Sequence, residues 1–192
     1  MTQEERQHWD RKYRHGSHAS QEPDPLLPNA YEEFIQPLFP AGGTALDVAG
    51  GAGRHAIWVA QHGWHVTLVD LSEVGVAKAR ENAGELAGRI DFQVRDLTNS
   101  TLGPAQYDLV MVFFYLERTI NAEVMQAVRP GGLLVYKTYT SRTPQFGQGP
   151  THPEYLLEEN ELLQAFSGMT VLHYQETLRD RGIAELVARK KA

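Results

Sequence analysis

Residues 44–55 read T-A-L-D-V-A-G-G-A-G-R-H, and this stretch limits the fold more than any other. An apolar run, Ala45, Leu46 and Val48, carries one acid, Asp47, and passes straight into Gly50, Gly51 and Gly53. The following R-H-A-I-W-V-A-Q has the pattern of a helix. A buried strand that enters a glycine turn and then a helix N-terminus makes the anion-facing corner of an α/β nucleotide-binding unit. The glycines let backbone approach a ligand, and the unpaired N–H groups of the helix start favour negative charge.

Around this corner the chain alternates between strand and helix. The pattern predicts a helix over 54–62 closed by Gly63, then a strand over 66–70 ending in Asp70. Ser72 caps a helix running to about 86, with Val76, Ala79 and Ala83 facing inward. Strands follow over 90–94, 107–114 and 133–138, with a helix over 118–128 stopped by Pro130-Gly131-Gly132. Such alternation implies βαβ units and a parallel sheet with right-handed crossovers. The ending differs. A long loop (140–157) and a helix (158–166) precede two strand-like runs, 170–177 and 183–189, joined by the turn R-D-R-G. The expected fold is therefore α/β and Rossmann-like: a doubly wound, mainly parallel sheet of seven strands with a C-terminal antiparallel hairpin and helices on both faces.

Upstream, a helix over 3–13 places Trp9 and Tyr13 four apart on one face, either docked on the core or folded over a ligand. Residues 15–28 contain three prolines and read as loop. Asn29 is placed to cap a helix with the stripe Tyr31, Phe34, Ile35 and Leu38, which Pro37 should kink or end near Gln36. No repeat or second core competes, so residues 1–192 are expected to form one domain, a helical cap (1–40) on a Rossmann-like core (41–192).

Composition narrows the partners. Net charge is −6, and Lys and Arg gather only at the last few residues, which argues against nucleic acid as ligand. The chain has no cysteine, so disulfides, thiolate metal sites and cysteine nucleophiles are excluded. His15 and His18 lack partners at metal-ligand spacing, and no metal is expected. The first residues are polar and no apolar run is long enough to span a bilayer. A cytoplasmic protein without membrane contact, monomer or homodimer, is expected.

Gly51-Ala-Gly53-Arg-His-Ala56 fits the dinucleotide fingerprint, with Asp70 about where a ribose-binding acid belongs. Other features point elsewhere. Asp47 at the first strand's end would repel a pyrophosphate and attract an ammonium. Asp96-Leu97 closes the third strand, and Pro130-Gly131-Gly132 enters the fifth. Taken together, D-V-A-G-G-A-G, V-D-L-S, D-L, Y-D-L-V-M-V-F-F and R-P-G-G-L-L-V-Y resemble the class I S-adenosylmethionine-dependent methyltransferases over residues 41–192. W-D-x-K-Y at 9–13 and G-R-H at 53–55 are also similar to the small bacterial tellurite-resistance-type and thiopurine-type branch.

The resemblance implies a cofactor, S-adenosyl-L-methionine, and roles for matching residues. Asp47 would hold the methionine ammonium, and the turn Ala49, Gly50, Gly51 and Gly53 would pass along the methionine moiety. Asp70 would accept from the ribose hydroxyls, with Leu71 beside adenine. Asp96 would accept from the adenine amino group, and Leu97 would offer its backbone N–H. Phe113 and Phe114 would line the transfer pocket. Trp9 and Tyr13 would cover the methionine end, where an aromatic face suits a sulfonium. Arg54 and His55, at the helix start, fall on the cofactor side. Ala49 departs from the pattern, standing where the family has its first glycine. If that position needs φ > 0, its methyl group costs about 1 kcal/mol.

Methyl transfer from a sulfonium is an in-line displacement that asks chiefly for alignment and exclusion of water. A base is needed only for an acceptor that arrives protonated. The residues after the fourth strand, Phe113-Phe-Tyr-Leu116, lack the [DNS]-P-P-[YFW] motif of amino-directed DNA methyltransferases, and the absence of cysteine sets aside arsenic-type acceptors. A small acceptor remains: a thiol, a chalcogen oxyanion or a similar compound. Tyr115 and His152 are the candidate catalytic groups; Phe114, Tyr115, Arg118 and Tyr139 are the candidate substrate contacts. The alternatives are an NAD(P)-dependent oxidoreductase and a non-catalytic cofactor-binding module of the same fold.

Overall fold

The computed structural model describes residues 3–16, 20–177, 179 and 181–192. His18, Leu178 and Asp180 therefore fall outside the described residues. Seven strands form one sheet in the order β3-β2-β1-β4-β5-β7-β6. They are β1 (Thr44–Val48), β2 (His65–Asp70), β3 (Ile90–Val94), β4 (Tyr107–Phe113), β5 (Val128–Tyr139), β6 (Thr170–Thr177) and β7 (Ile183–Arg189). The first five pair in parallel, and β7 runs antiparallel to both β5 and β6. The Rossmann-like sheet with its antiparallel ending is the one expected. Strand order reverses between β1 and β4, the crevice where open α/β sheets bind ligands.

The central strands are buried on both faces, so they read as continuous apolar runs, whereas β3 at one edge alternates. Along β4, Leu109, Met111 and Phe113 enter one core and Val110 and Val112 the other. The first core packs under α4 (Arg54–Gln61), α5 (Glu73–Ala83) and the helical stretch 26–38. The second packs under α6 (Asn121–Ala127) and α7 (Glu161–Ala165). Each fully buried Leu or Val contributes about 1.5–3 kcal/mol relative to exposure.

Several local expectations hold. α1 spans Gln3–Arg14, Ser72 Oγ accepts the Gly75 N–H at 3.0 Å as an N-cap should, and Val76, Ala79 and Ala83 are buried. Others change. Asn29 caps nothing, because it lies inside α2 (Leu26–Ala30), whose start is held by Asp24 Oδ1 accepting the Leu26 N–H at 3.0 Å. A π-helical turn, Tyr31–Ile35, links α2 to α3 (Gln36–Leu38). Pro37 has no N–H for the preceding turn, and the wider π turn accommodates this, so the chain stays helical past Gln36. Leu38 of the expected stripe is exposed. β5 begins at Val128, not 133, because Val128 already pairs with Tyr107; Pro130-Gly131-Gly132 sits inside the strand at a register shift. α7 begins only at Glu161, after Asn160 at φ 60.

Candidate functional site

β1 delivers Asp47 to the carboxyl edge of the sheet, where it is 1% exposed. Its Oδ2 accepts the Ala56 N–H at 3.1 Å, and a Cβ on Gly50 would stand 2.8 Å from the same oxygen. Gly50 is thus the residue that leaves room for a buried carboxylate beneath the turn. Burial pushes Asp47 up to about 7; the Ala56 N–H opposes this, and Asp70 adds to it. Asp70, at the end of β2, accepts the Gly51 N–H and the Ser72 N–H, each at 2.8 Å. Burial raises it to about 6 against those bonds. Two buried acids thus flank one glycine turn, with Arg54 the cation beside Asp47.

The turn has left-handed backbone at three of five residues, Ala49 (φ 55), Gly51 (φ 55) and Gly53 (φ 85). Ala49 therefore carries the strain of about 1 kcal/mol that a non-glycine incurs there. Phe114, immediately after β4, is also left-handed at φ 56. Such outliers gather where geometry serves a site.

A cleft holding about 810 Å³ of empty space, open mouth included, runs over this turn. Trp9, Tyr13 and Ser20 of the N-terminal segment line it, with Ala49–Ala52, Arg54 and His55 from the turn and α4. Asp70, Leu71 and Leu97 form one wall; Phe113, Phe114 and Tyr115 form the other. Tyr13 is buried, with its hydroxyl where a Cβ on Gly51 would be and its ring against Gly75. Burial, then the charges of Asp70 and Asp47, push its phenol pKa up, so it stays neutral. α1 is held there by Lys78 Nζ donating to Tyr13 O and by Asp10 Oδ1 accepting from Ser72 Oγ at 2.5 Å.

Six foreseen residues are placed otherwise. Asp47, beneath the turn, and Gly53, at its end, are not among the residues that line the cleft. Asp96, next to the lining Leu97, accepts from Thr98 N (3.0 Å), Thr98 Oγ1 (2.8 Å) and Asn99 Nδ2 (2.7 Å). What burial it has works upward, but these bonds win and lower its pKa. Arg118 is spent on the long loop: its guanidinium pairs with Glu161 and donates to the carbonyls of Glu154 and Leu156. Tyr139 stands behind the wall, its ring 5.1 Å from that of Phe114. His152 faces solvent, 63% exposed and 3.5 Å from Glu154, and the structure does not bring it to the cleft. Tyr115 does line it; its hydroxyl is buried with no partner among the described residues, and burial raises its pKa well above the ordinary range. Ala52, inside the expected turn 49–53, lines the cleft, and Ser20 lines it without having been foreseen. Ser20 follows from no periodicity, being one residue of a turn-rich segment that long-range contacts such as that of Asp24 with Lys137 hold at the cleft.

Comparison with known proteins agrees with this geometry. Residues 45–132 match the family model described as a methyltransferase domain. Among relatives, the chain is 31% identical over 123 residues to the ubiquinone biosynthesis O-methyltransferase of Azoarcus sp. (strain BH72), covering 61% of this chain and 53% of that one. The chain thus spans about half of that relative's length. TehB from Haemophilus influenzae superposes with a TM-score of 0.74 at 18% identity, over 94% of this chain and 66% of its own. The 1,6-didemethyltoxoflavin-N1-methyltransferase of Burkholderia thailandensis, solved with bound 1,6-didemethyltoxoflavin and S-adenosylhomocysteine, superposes with a TM-score of 0.72 at 19% identity, over 97% of this chain and 87% of its own. The fold is the Rossmann-like methyltransferase fold. Among the described residues no helix is long and apolar enough to cross a membrane.

Proposed function

We propose that the chain is an S-adenosylmethionine-dependent methyltransferase whose acceptor is a small molecule. The observation that carries this reading is the pair Asp47 and Asp70, both buried at one glycine turn with pKa values pushed up to about 7 and about 6. A site that burial has made short of positive charge suits a ligand bringing an ammonium and a sulfonium, and is a poor host for a pyrophosphate. That choice favours a methyltransferase over a nicotinamide-linked oxidoreductase.

The residues present fit the cofactor. Asp70 accepts the Gly51 and Ser72 N–H groups and, with two lone pairs on each oxygen, keeps acceptor capacity for a ribose hydroxyl. Leu71 and Leu97 supply apolar surface for a base, and the α4 N-terminus with Arg54 faces a carboxylate. When bound, S-adenosylmethionine supplies an electrophilic methyl group on sulfur. Tyr13, Trp9 and Phe114 cover the cleft and exclude water, and the aromatic wall at Phe113–Tyr115 aligns the acceptor. The Tyr115 phenol, neutral at physiological pH, acts as a hydrogen-bond donor and not as a base. The narrower tellurite-resistance or thiopurine-type assignment, with a thiol or chalcogen oxyanion as acceptor, draws support from the likeness to TehB.

Calorimetric titration with S-adenosylhomocysteine, run beside NADH, tests the reading. Micromolar binding of the homocysteine compound, weakened at least a hundredfold by Asp70→Ala, is expected. Binding of NADH alone would end the proposal. Binding of the homocysteine compound without turnover on thiol, oxyanion, amine and hydroxyl acceptors would leave a cofactor-binding module.

A further inference from the structure

A charge cluster behind the cleft wall has no part in the chemistry above. Lys137, on β5, is only 13% exposed along its side chain. Its Nζ lies 2.8 Å from Asp24 Oδ1 and 2.7 Å from Glu185 Oε1. Glu185 belongs to β7; Asp24 belongs to the segment that brings Ser20 to the cleft. Pro23 and Pro25 flank Asp24, so its N–H is the only one in that tripeptide. That N–H donates to His55 Nε2 at 3.2 Å. His55 in turn is 4% exposed, lines the cleft and stacks on Phe113 at 3.9 Å between ring centroids.

A backbone N–H can only donate, so Nε2 must present its lone pair, and the hydrogen of the neutral ring then sits on Nδ1. We propose that Lys137 is a positioning residue: by clamping Asp24 it fixes His55 as the Nδ1–H tautomer, so the cleft is offered an imidazole donor and no imidazole base. Burial, with Arg54 and Lys137 nearby, opposes a second proton on the ring. Stability alone is a poor account of the cluster, because a buried ion pair contributes little net compared with apolar packing, while it does hold geometry. One consequence concerns the acceptor. With its base capacity spent on Asp24, His55 cannot deprotonate a substrate, and the acceptor atom must be nucleophilic as bound.

Nitrogen-15 NMR of histidine-labelled protein tests this directly. Wild type is expected to show His55 as the neutral Nδ1–H form, its protonation held well below the ordinary imidazole range by burial. Glu185→Gln also removes a carboxylate from Lys137 but leaves the N-terminal segment tied, and should keep that spectrum. Asp24→Asn keeps the backbone N–H and loses the ion pair; His55 should then show a mixture of the two neutral tautomers. A wild-type Nε2–H form, an unchanged Asp24→Asn spectrum, or equal disturbance by Glu185→Gln would each overturn the proposal. Should Asp24→Asn fail to fold, the neutral double variant Asp24→Asn/Lys137→Gln is read against the same expectation. S-adenosylhomocysteine titration on these samples keeps the two readings apart. A protein that binds none of it loses the proposed function, while the His55 spectrum still decides the clamp.

Discussion

Asp47 and Asp108 sit on adjacent strands at opposite ends of the sheet, both buried, each beneath a glycine. A Cβ on Gly50 would stand 2.8 Å from one carboxylate, and a Cβ on Gly43 would stand 2.5 Å from the other. Their partners differ. Asp108 accepts from Thr44 N at 2.9 Å and Thr44 Oγ1 at 3.1 Å, and is ion-paired with Arg129. Asp47 accepts the Ala56 N–H and is left at about 7 by burial. At the amino end of the strands the carboxylate is ion-paired directly; at the carboxyl end it has one backbone N–H and no direct ion pair among the described residues. The same division holds for backbone strain, since Ala49 and Phe114, both left-handed, stand at the carboxyl end.

The largest expected effect is the opposite response of these two acids. Asp108→Ala leaves the Thr44 N–H without its acceptor and Arg129 without its ion partner, and should cost about 2–4 kcal/mol of stability. Affinity for S-adenosylhomocysteine per folded molecule should not change. Asp47→Asn should leave stability equal or higher above pH 7 and weaken that affinity tenfold or more. Urea denaturation and calorimetry on both variants would read this, and a matching loss of stability in both would erase the distinction between the ends.

A smaller effect comes from pH. Asp47 and Asp70 have folded pKa values raised above an unfolded value near 4, so the native state binds more protons than the unfolded one across the window between. Stability should therefore rise as pH falls from 8 to 6, by about 2 kcal/mol, or about 5 °C in Tm. Asp47→Asn should remove most of that slope. A ligand-free Tm that is flat or falls over this interval would contradict the assignment of both acids.

Smallest is the release of strain at the turn. Ala49→Gly removes a methyl group from φ 55 and should stabilise the protein by up to about 1 kcal/mol, raising Tm by about 2–4 °C at most. Thermal denaturation reads it. A lower Tm would mean that the glycine's added freedom in the unfolded chain outweighs the strain.

Much of the fold was legible because it rests on local pattern. β1, β3, β6 and β7 have the limits that alternation and turn residues suggest, within a residue or two, and Ser72 caps as its spacing indicates. Most of the cleft's turn and walls could be foreseen for the same reason: Ala49, Gly51, Asp70 and Phe113 lie at strand ends, and topology brings strand ends together. Arg118 and His152 were not placed by this logic. Their positions depend on a loop whose course is set by Glu161 and by backbone carbonyls of its own residues.

By itself, the sequence determined that strands alternate with helices, that a glycine turn follows Asp47, and that the sheet closes with a hairpin. These follow from periodicity, chain stiffness and turn chemistry, which act over a few residues. Only the tertiary structure decided that Asp47 lies beneath the turn while Asp70 lines the cleft, that Tyr13 fills the space beside Gly51, and that Asp24 meets both Lys137 and His55. Those outcomes depend on burial and on partners far apart in the chain. Desolvation and long-range hydrogen bonding are set by where the elements pack, and no local pattern carries that information.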